Sequence, residues 1–144
     1  MSGDPPPKPP EKNQDPTKKE VKVTGPPPTQ VAAVDMLQLT LEQRARHPAR
    51  ACVIVSAWDR ESESGLTPAG YIAENLTLLD QYTSSNSEWL ETRVFGVSAQ
   101  GGDFEAARDE LAERDPLDRA FVHRGDGSPG AIGDPIAWAL GLGD

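Results

Sequence analysis

The sequence predicts an α/β fold in which two or three buried parallel strands are flanked by helices. Short apolar runs alternate with amphipathic stretches along residues 29–144, which contain most of the hydrophobic residues. The apolar runs are short and continuous, as is typical of strands that are covered on both faces. Their order is helix, strand, helix, strand, helix, a short third strand and a last helix. This alternation favours parallel strands joined by right-handed crossovers.

Residues 1–28 differ in composition from the rest of the chain. They hold nine of the 14 prolines and all five lysines, and their only apolar residues are Met1, Val21 and Val23. Such a segment cannot bury enough apolar surface to offset its ordering entropy. The sequence therefore predicts a disordered Pro/Lys-rich tail over residues 1–28, followed by one α/β domain over residues 29–144. The tail is interpreted as a spacer, with a ligand for a polyproline-binding domain as the alternative.

The first half of the domain contains three predicted elements. Apolar residues recur at helical spacing over residues 30–46, which predicts a helix that ends before Pro48. The apolar run over residues 51–55 predicts the first strand. Thr67 is a favourable N-cap and Pro68 a favourable first helical residue, so a second helix begins there. The apolar face of this second helix is Ile72, Leu76, Leu79 and Tyr82.

The second half of the domain contains the remaining elements. A second strand is predicted over residues 93–98, and Asp103 is predicted to cap a third helix. Residues 120–122 predict a short third strand, and residues 125–130 predict a loop because of their glycine content. The last helix begins at Asp134–Pro135. Apolar residues assigned to the third helix are Phe104, Ala107 and Leu111, and those assigned to the last are Ile136, Trp138, Leu140 and Leu142.

The charge distribution excludes several functions. The chain has a formal net charge of -9, and residues 29–144 carry 19 acidic residues against nine cations, all of them arginine. Because no lysine follows Lys22, a lysine nucleophile in the domain is excluded. An acidic domain also argues against nucleic-acid binding, which requires cations to displace counterions from phosphates.

The remaining composition predicts a cytoplasmic protein that does not bind a membrane. Cys52 is the single cysteine and cannot form an internal disulfide, which suits a reducing compartment. No apolar run approaches the roughly 20 residues that a membrane-spanning helix requires, and the N-terminal residues do not match a signal peptide. The histidines His47 and His123 and this one cysteine are too few for a zinc site, so no metal site is identified.

Two polar segments follow the predicted strands and are candidates for function. In open α/β sheets, ligands bind beyond the carboxyl ends of the strands. Residues 56–59, Ser-Ala-Trp-Asp, follow the first strand. Residues 98–103, Ser-Ala-Gln-Gly-Gly-Asp, follow the second strand.

These segments carry a family resemblance. The passages VIVSAWDRES, LTLLDQY, RVFGVSAQGGD and DPIAWALGL resemble the C-terminal part of a double-GTPase-like domain, a P-loop GTPase relative found in bacteria. The resemblance covers residues 31–142. Val-Ser-Ala-Trp-Asp lies where GTPases have [NT]KxD, and Val-Ser-Ala-Gln lies where they have a Ser-Ala loop. The resemblance implies a partial P-loop-NTPase-like three-layer sandwich, with GTP or GDP as its ligand.

The resemblance also implies roles for individual residues. Asp59 would accept hydrogen bonds from the N1 and N2 donors of guanine, a pair that adenine lacks. The backbone N–H of Ala99 would reach the guanine O6, and Ser98 would hold the loop. Ser56 replaces the Asn or Thr of the family, and Ala57 replaces the lysine whose alkyl stem covers the base.

Plainer interpretations of the same residues stay open. Ser56 or Asp59 could simply cap or tighten a turn after a strand. Trp58 could stack on the base in place of the missing lysine stem, or its side chain could point into the sheet. Asp103 is interpreted as a helix N-cap and not as a metal ligand.

The phosphate-binding half of a GTPase site has no counterpart in the sequence. The motif GxxxxGK[ST] does not occur, and a proline-rich tail precedes residue 31. The resulting hypothesis is a truncated or degenerate GTPase-like protein that retains the guanine side and hydrolyses GTP only if a partner supplies the P-loop half. The alternative is a non-catalytic interaction module whose exposed sheet edge is completed by self-association or a partner chain. A small enzyme of another family is a third option.

Overall fold

The computed structural model describes residues 28–43, 48–61, 64–103 and 105–142. All of the predicted tail except Pro28 therefore lies outside the described residues, as does Phe104. In the described part, no helix is both long enough and apolar enough to cross a membrane. In chain order the elements are α1 (Thr29–Glu42), β1 (Ala49–Ser56), a 3₁₀ turn (Trp58–Arg60), α2 (Pro68–Asn75), α3 (Thr77–Ser85), β2 (Leu90–Ser98), α4 (Arg108–Glu113), α5 (Pro116–Arg119), β3 (Phe121–Arg124), β4 (Pro129–Gly130) and α6 (Asp134–Ala139).

Within the described residues, the strands form one four-stranded sheet in the order β1-β2-β3-β4. The strands β1 and β2 are parallel, with a register that runs from Ala49 opposite Leu90 to Ser56 opposite Val97. The mixed α/β architecture is confirmed. The prediction that the third strand is parallel is wrong, because β3 pairs antiparallel with β2 and begins with Phe121 opposite Ser98.

The connection after β2 explains this antiparallel pairing. A parallel β3 would have to start at the far end of β2, whose nine residues span about 30 Å. The helix α4 has only six residues, or about 9 Å of rise, and α5 has four. The chain therefore re-enters the sheet beside the end of β2 and runs backwards. Residues 125–130, predicted as a loop, then close a hairpin in which β4 pairs with β3.

Helices cover both faces of the sheet, because successive side chains of a strand point to opposite faces. On one face, Val53 and Val55 of β1 pack with α1, α2 and α3 around a buried cluster of Val34, Ile72 and Leu79. On the other face, Cys52 and Val97 pack against a second cluster, which consists of Phe95, Val122 and Trp138. The second cluster packs α6 against the sheet.

The predicted second helix is two helices. Thr67 caps α2 as expected, since its Oγ1 accepts a hydrogen bond from the Gly70 N–H at 3.1 Å. The break falls at Leu76, whose backbone leaves the helical region. At the start of α3, the Leu78 N–H donates to the Gln30 side chain of α1 at 3.0 Å. A side chain from another helix thus satisfies one of the N–H groups that every helix start leaves unpaired.

Two further predicted boundaries differ from the structure. The helix α1 ends at Glu42 and not at residue 46, and residues 44–47 lie outside the described residues. Asp103 does not cap α4, because its Oδ1 accepts from the Glu105 N–H at 2.9 Å and the helix begins only at Arg108. Asp103 therefore closes a turn before the helix. Leu111 is buried as expected, at 3% exposure.

Arginine side chains hold α6 against the sheet. The guanidinium groups of Arg50 and Arg93 lie over the Trp138 ring, 5.5 Å and 5.1 Å from its centroid. Arg50 also donates from Nη1 to the Trp138 carbonyl at 3.0 Å and pairs with Glu91 at 3.1 Å. The cations therefore bind both the aromatic face and the backbone of the last helix.

The β3–β4 hairpin is tied to α6 by one carboxylate. Asp134 Oδ2 accepts hydrogen bonds from Arg124 Nη2 at 2.8 Å and from the Ala131 N–H at 3.1 Å. The Arg124 hydrogen bond, followed by the Ala131 backbone bond, lowers the pKa of Asp134 below its ordinary value. A lowered pKa means that the ionised form stabilises the fold, and that this contribution is lost as the pH falls through the folded pKa.

We expect Asp134→Asn to lower the melting temperature at pH 7, where the unfolded carboxyl is fully ionised. The difference from the wild type should shrink below about pH 4, the range in which an unfolded Asp titrates. Thermal melts followed by circular dichroism at pH 7 and pH 3 measure both values. Glu113→Gln, on an exposed position of α4, removes the same charge as a control. A pH-independent difference for Asp134→Asn would contradict the assignment.

Candidate functional site

The segments that follow β1 and β2 meet at one edge of the sheet. The parallel register places Ser56, the last residue of β1, opposite Val97. Ser98 is the next residue of β2 and also its last. The two polar segments singled out in the sequence therefore leave the sheet side by side.

The segment after β1 turns sharply at Ala57. This residue has φ 54° and ψ 41°, the left-handed conformation that is uncommon for residues with a Cβ and costs about 1–2 kcal/mol. The turn directs the two residues that follow to different surroundings. Trp58 is buried, with 1% of its surface exposed, whereas Asp59 is half-buried. Of the two alternatives for Trp58, the structure shows the side chain pointing into the sheet.

The Trp58 indole occupies a space that exists because residue 96 is a glycine. A Cβ on Gly96 would lie 2.5 Å from two ring carbons of Trp58. The indole ring and the ring of Tyr71 in α2 form a T-shaped pair, with an interplanar angle of 89° and centroids 6.1 Å apart. The indole Nε1–H donates to Nδ1 of His123 in β3 at 3.0 Å. Three elements of the fold thus enclose one side chain.

Asp59 and Ser98 are brought into direct contact. The Ser98 hydroxyl donates to Asp59 Oδ1 at 2.6 Å, the short distance that is typical of an O–H donor on a carboxylate. The same hydroxyl oxygen accepts the Gly101 N–H at 2.9 Å. Ser98 has no exposed surface, so this hydroxyl is a buried connection between the two segments.

The loop after β2 lies close to the end of α5. Gly101 has a positive φ of 75°, and a Cβ at this position would overlap the carbonyl of Arg119. A side chain is therefore excluded at residue 101 on two grounds. The same glycine donates its N–H to the Ser98 hydroxyl.

The other predicted site residues lie at the same edge. Ser56 and Ala99 are both exposed, one at the end of β1 and the other immediately after β2. The described residues contain no group of three or more His, Cys, Asp or Glu side chains placed to bind a metal ion. Two residues that contribute to the geometry, Gly96 and His123, were not anticipated, and Gly101 was singled out only as part of the segment 98–103. A glycine inside an apolar strand signals a close approach, but nothing in the sequence pointed to His123.

Comparison with known families identifies the chain. The family model described as Double-GTPase 1 matches residues 4–139, which is nearly the whole sequence.

The chain belongs to the Double-GTPase 1 family.

This result confirms the resemblance to a double-GTPase-like domain. The match includes both segments at the sheet edge and also reaches into residues 1–28. No curated protein and no solved structure matches this double-GTPase chain.

Ser98→Ala should lower the free energy of unfolding by about 1–3 kcal/mol, because the Gly101 N–H loses its acceptor and Asp59 loses a charge-assisted bond. Urea denaturation followed by fluorescence measures the change. Ser56→Ala removes the same hydroxyl from an exposed strand end and should change stability by less than about 0.5 kcal/mol. Equal effects of the two variants would show that the Ser98 bridge does not stabilise the fold.

Proposed function

We propose that this double-GTPase chain binds the base of a guanine nucleotide at the edge formed by residues 56–59 and 98–101, and that it does not hydrolyse GTP by itself. The observation that supports the proposal best is the 2.6 Å hydrogen bond from the Ser98 hydroxyl to Asp59 Oδ1. It fixes a carboxylate at the end of a parallel strand, beside the loop that follows the next strand.

The chemistry of a carboxylate fits the edge of guanine. An ionised carboxylate has two oxygens with about four acceptor positions, so it can accept hydrogen bonds from more than one donor at a time. Guanine presents two neighbouring donors, N1–H and the N2 amino group, whereas adenine has no such pair. An acceptor held in one orientation therefore discriminates between the two bases. The exposed Ala99 is proposed to offer its N–H to the guanine O6.

This chain offers fewer contacts to the two faces of the guanine ring than to the hydrogen-bonding edge of the ring. Ala57 stands where the [NT]KxD motif of GTPases in general has its lysine, and a methyl group covers little of a purine. Trp58 is 1% exposed and is engaged inside the fold, so it does not replace the stem of that lysine. We therefore expect weak nucleotide binding in which selectivity comes from Asp59.

Hydrolysis requires a phosphate-binding loop, and the motif that builds such a loop does not occur in the 144 residues. Phosphoryl transfer depends on a loop of backbone amides, a lysine and an Mg²⁺-binding Ser or Thr around the phosphates. The sequence has no GxxxxGK[ST] motif and no lysine after Lys22. We propose that a partner chain supplies these groups wherever hydrolysis occurs.

Replacement of Asp59 by Asn should change the base preference and not merely abolish binding. An Asn amide accepts N1–H through Oδ1 and donates from Nδ2 to the O2 carbonyl of xanthine, which replaces the N2 amino group of guanine. We expect wild type to prefer GDP over ADP, and Asp59→Asn to lose GDP affinity by about tenfold or more while gaining affinity for XDP. Titrations with fluorescently labelled GDP, ADP and XDP measure the three constants.

Asp103→Asn, at an exposed carboxylate in the loop after β2, is the matched control and should leave the preference for GDP unchanged. A misfolded variant cannot gain XDP affinity, so the gain separates recognition from damage. Equal, weak binding of GDP and ADP by wild type at millimolar concentration would refute guanine recognition.

A second candidate function is that of an interaction module whose sheet is completed by a second copy or a partner chain. In the described residues, β1 is the terminal strand of the sheet and pairs with β2 alone. Ile54 of this strand is 52% exposed, which is unusual for an apolar residue within a sheet. Exposed strands of this kind are templates for pairing.

Light scattering coupled to size-exclusion chromatography tests whether the chain self-associates through β1. We expect a dimer that Ile54→Lys dissociates, because a charge on the terminal strand opposes edge-to-edge pairing. Leu142→Lys, at an apolar residue that is 78% exposed beyond α6, should leave the dimer intact. A monomeric wild type would count against self-association. Completion of the sheet by a partner chain would then be tested by pull-down with a defined candidate protein.

A further inference from the structure

The buried contacts of Trp58 connect the proposed nucleotide site to residues in the interior of the protein. Trp58 and Asp59 are consecutive residues of the 3₁₀ turn Trp58–Arg60. The turn contacts β2 at two points, since Trp58 lies over Gly96 and Asp59 accepts from Ser98. Gly96 and Ser98 are two residues apart and therefore on the same face of the strand.

The hydrogen bond to His123 determines the orientation of the indole. The indole Nε1–H can only donate, and Trp58 is almost fully buried, so the bond at 3.0 Å to His123 Nδ1 satisfies a donor that has little access to water. His123 must accept at Nδ1, which places its ring proton on Nε2. A buried donor that loses its acceptor is destabilising, and the indole would rotate to find another.

Rotation of the indole would move Asp59. The ring is confined by Gly96 below and by the perpendicular ring of Tyr71 beside it. Any new orientation must therefore be accommodated by the backbone of the short turn that also carries Asp59. The Asp59–Ser98 bond, at 2.6 Å, tolerates little displacement.

We propose that Trp58 and His123 are positioning residues for the Asp59 carboxylate. Through the hydrogen bond between them, at 3.0 Å, the position of the β3–β4 hairpin determines the position of Asp59, the residue proposed to bind the guanine edge. This inference rests on the proposed guanine recognition, because it concerns the selectivity of that same site. In this role the two side chains act through Asp59 and not by contact with the nucleotide.

Substitutions of His123 test the acceptor directly. His123→Leu removes it, and we expect the Kd for GDP to rise about tenfold while the already weak ADP binding changes little. His123→Asn places an amide oxygen near the position of Nδ1 and should restore GDP affinity to within about twofold of wild type. Val34→Ala, in the buried cluster beside α1, controls for a general loss of stability and should leave both constants unchanged.

A double-mutant cycle isolates the bond. Trp58→Phe keeps an aromatic ring over Gly96 but has no N–H. In this background His123→Leu should have almost no effect on the Kd for GDP, since the bond is already absent. Independent, additive effects of the two substitutions would overturn the positioning role, as would GDP binding by His123→Leu that equals wild type.

A second readout does not depend on nucleotide. The Gly101 amide donates to the Ser98 hydroxyl that holds Asp59, so its ¹H–¹⁵N resonance reports on this arrangement. We expect His123→Leu to shift the Gly101 resonance and His123→Asn to restore it. An unchanged resonance in His123→Leu refutes the inference. A shifted resonance in a protein that does not bind GDP refutes guanine recognition and leaves the positioning role standing.

Discussion

The parallel pairing of β1 with β2 is the constraint on which the sheet edge depends. Its register runs without interruption from Ala49 opposite Leu90 to Ser56 opposite Val97. A slip by one residue would turn every side chain of one strand to the other face of the sheet. Gly96 would then no longer lie beneath Trp58, and the Ser98 hydroxyl would leave Asp59. The arrangement of residues at this edge is therefore a consequence of strand register.

Alternate side chains of a strand point to the same face of the sheet, which explains how β2 contacts the 3₁₀ turn after β1 at two residues. Gly96 and Ser98 face the same side of β2, and the two consecutive residues after Ala57 reach them. One contact is apolar and requires the absence of a side chain. The other is polar and requires a hydroxyl that can donate and accept at once. Together they offset the strain of the left-handed conformation at Ala57.

All cations of the domain are arginines, and three of them contact the last helix. Arg50 and Arg93 lie over the ring of Trp138, and Arg124 binds the Asp134 carboxylate at the start of α6. A planar guanidinium can stack on an aromatic ring and donate in its own plane, which an ammonium cannot do. In a double-GTPase chain without lysine after residue 22, these cations serve the docking of the last helix.

The sequence by itself determined the two long strands, the start of α2 and the two polar segments of the candidate site. Apolar runs located both long strands, Thr67 and Pro68 located the start of α2, and the motifs around Asp59 and Ser98 led to the family. These features are local, since strand burial, helix capping and motif spacing depend on neighbouring residues. Tertiary structure alone decided the antiparallel direction of β3, the burial of Trp58 and the role of His123. His123 lies 65 residues from Trp58 along the chain, and the bond between them exists only because β3 returns beside Gly96.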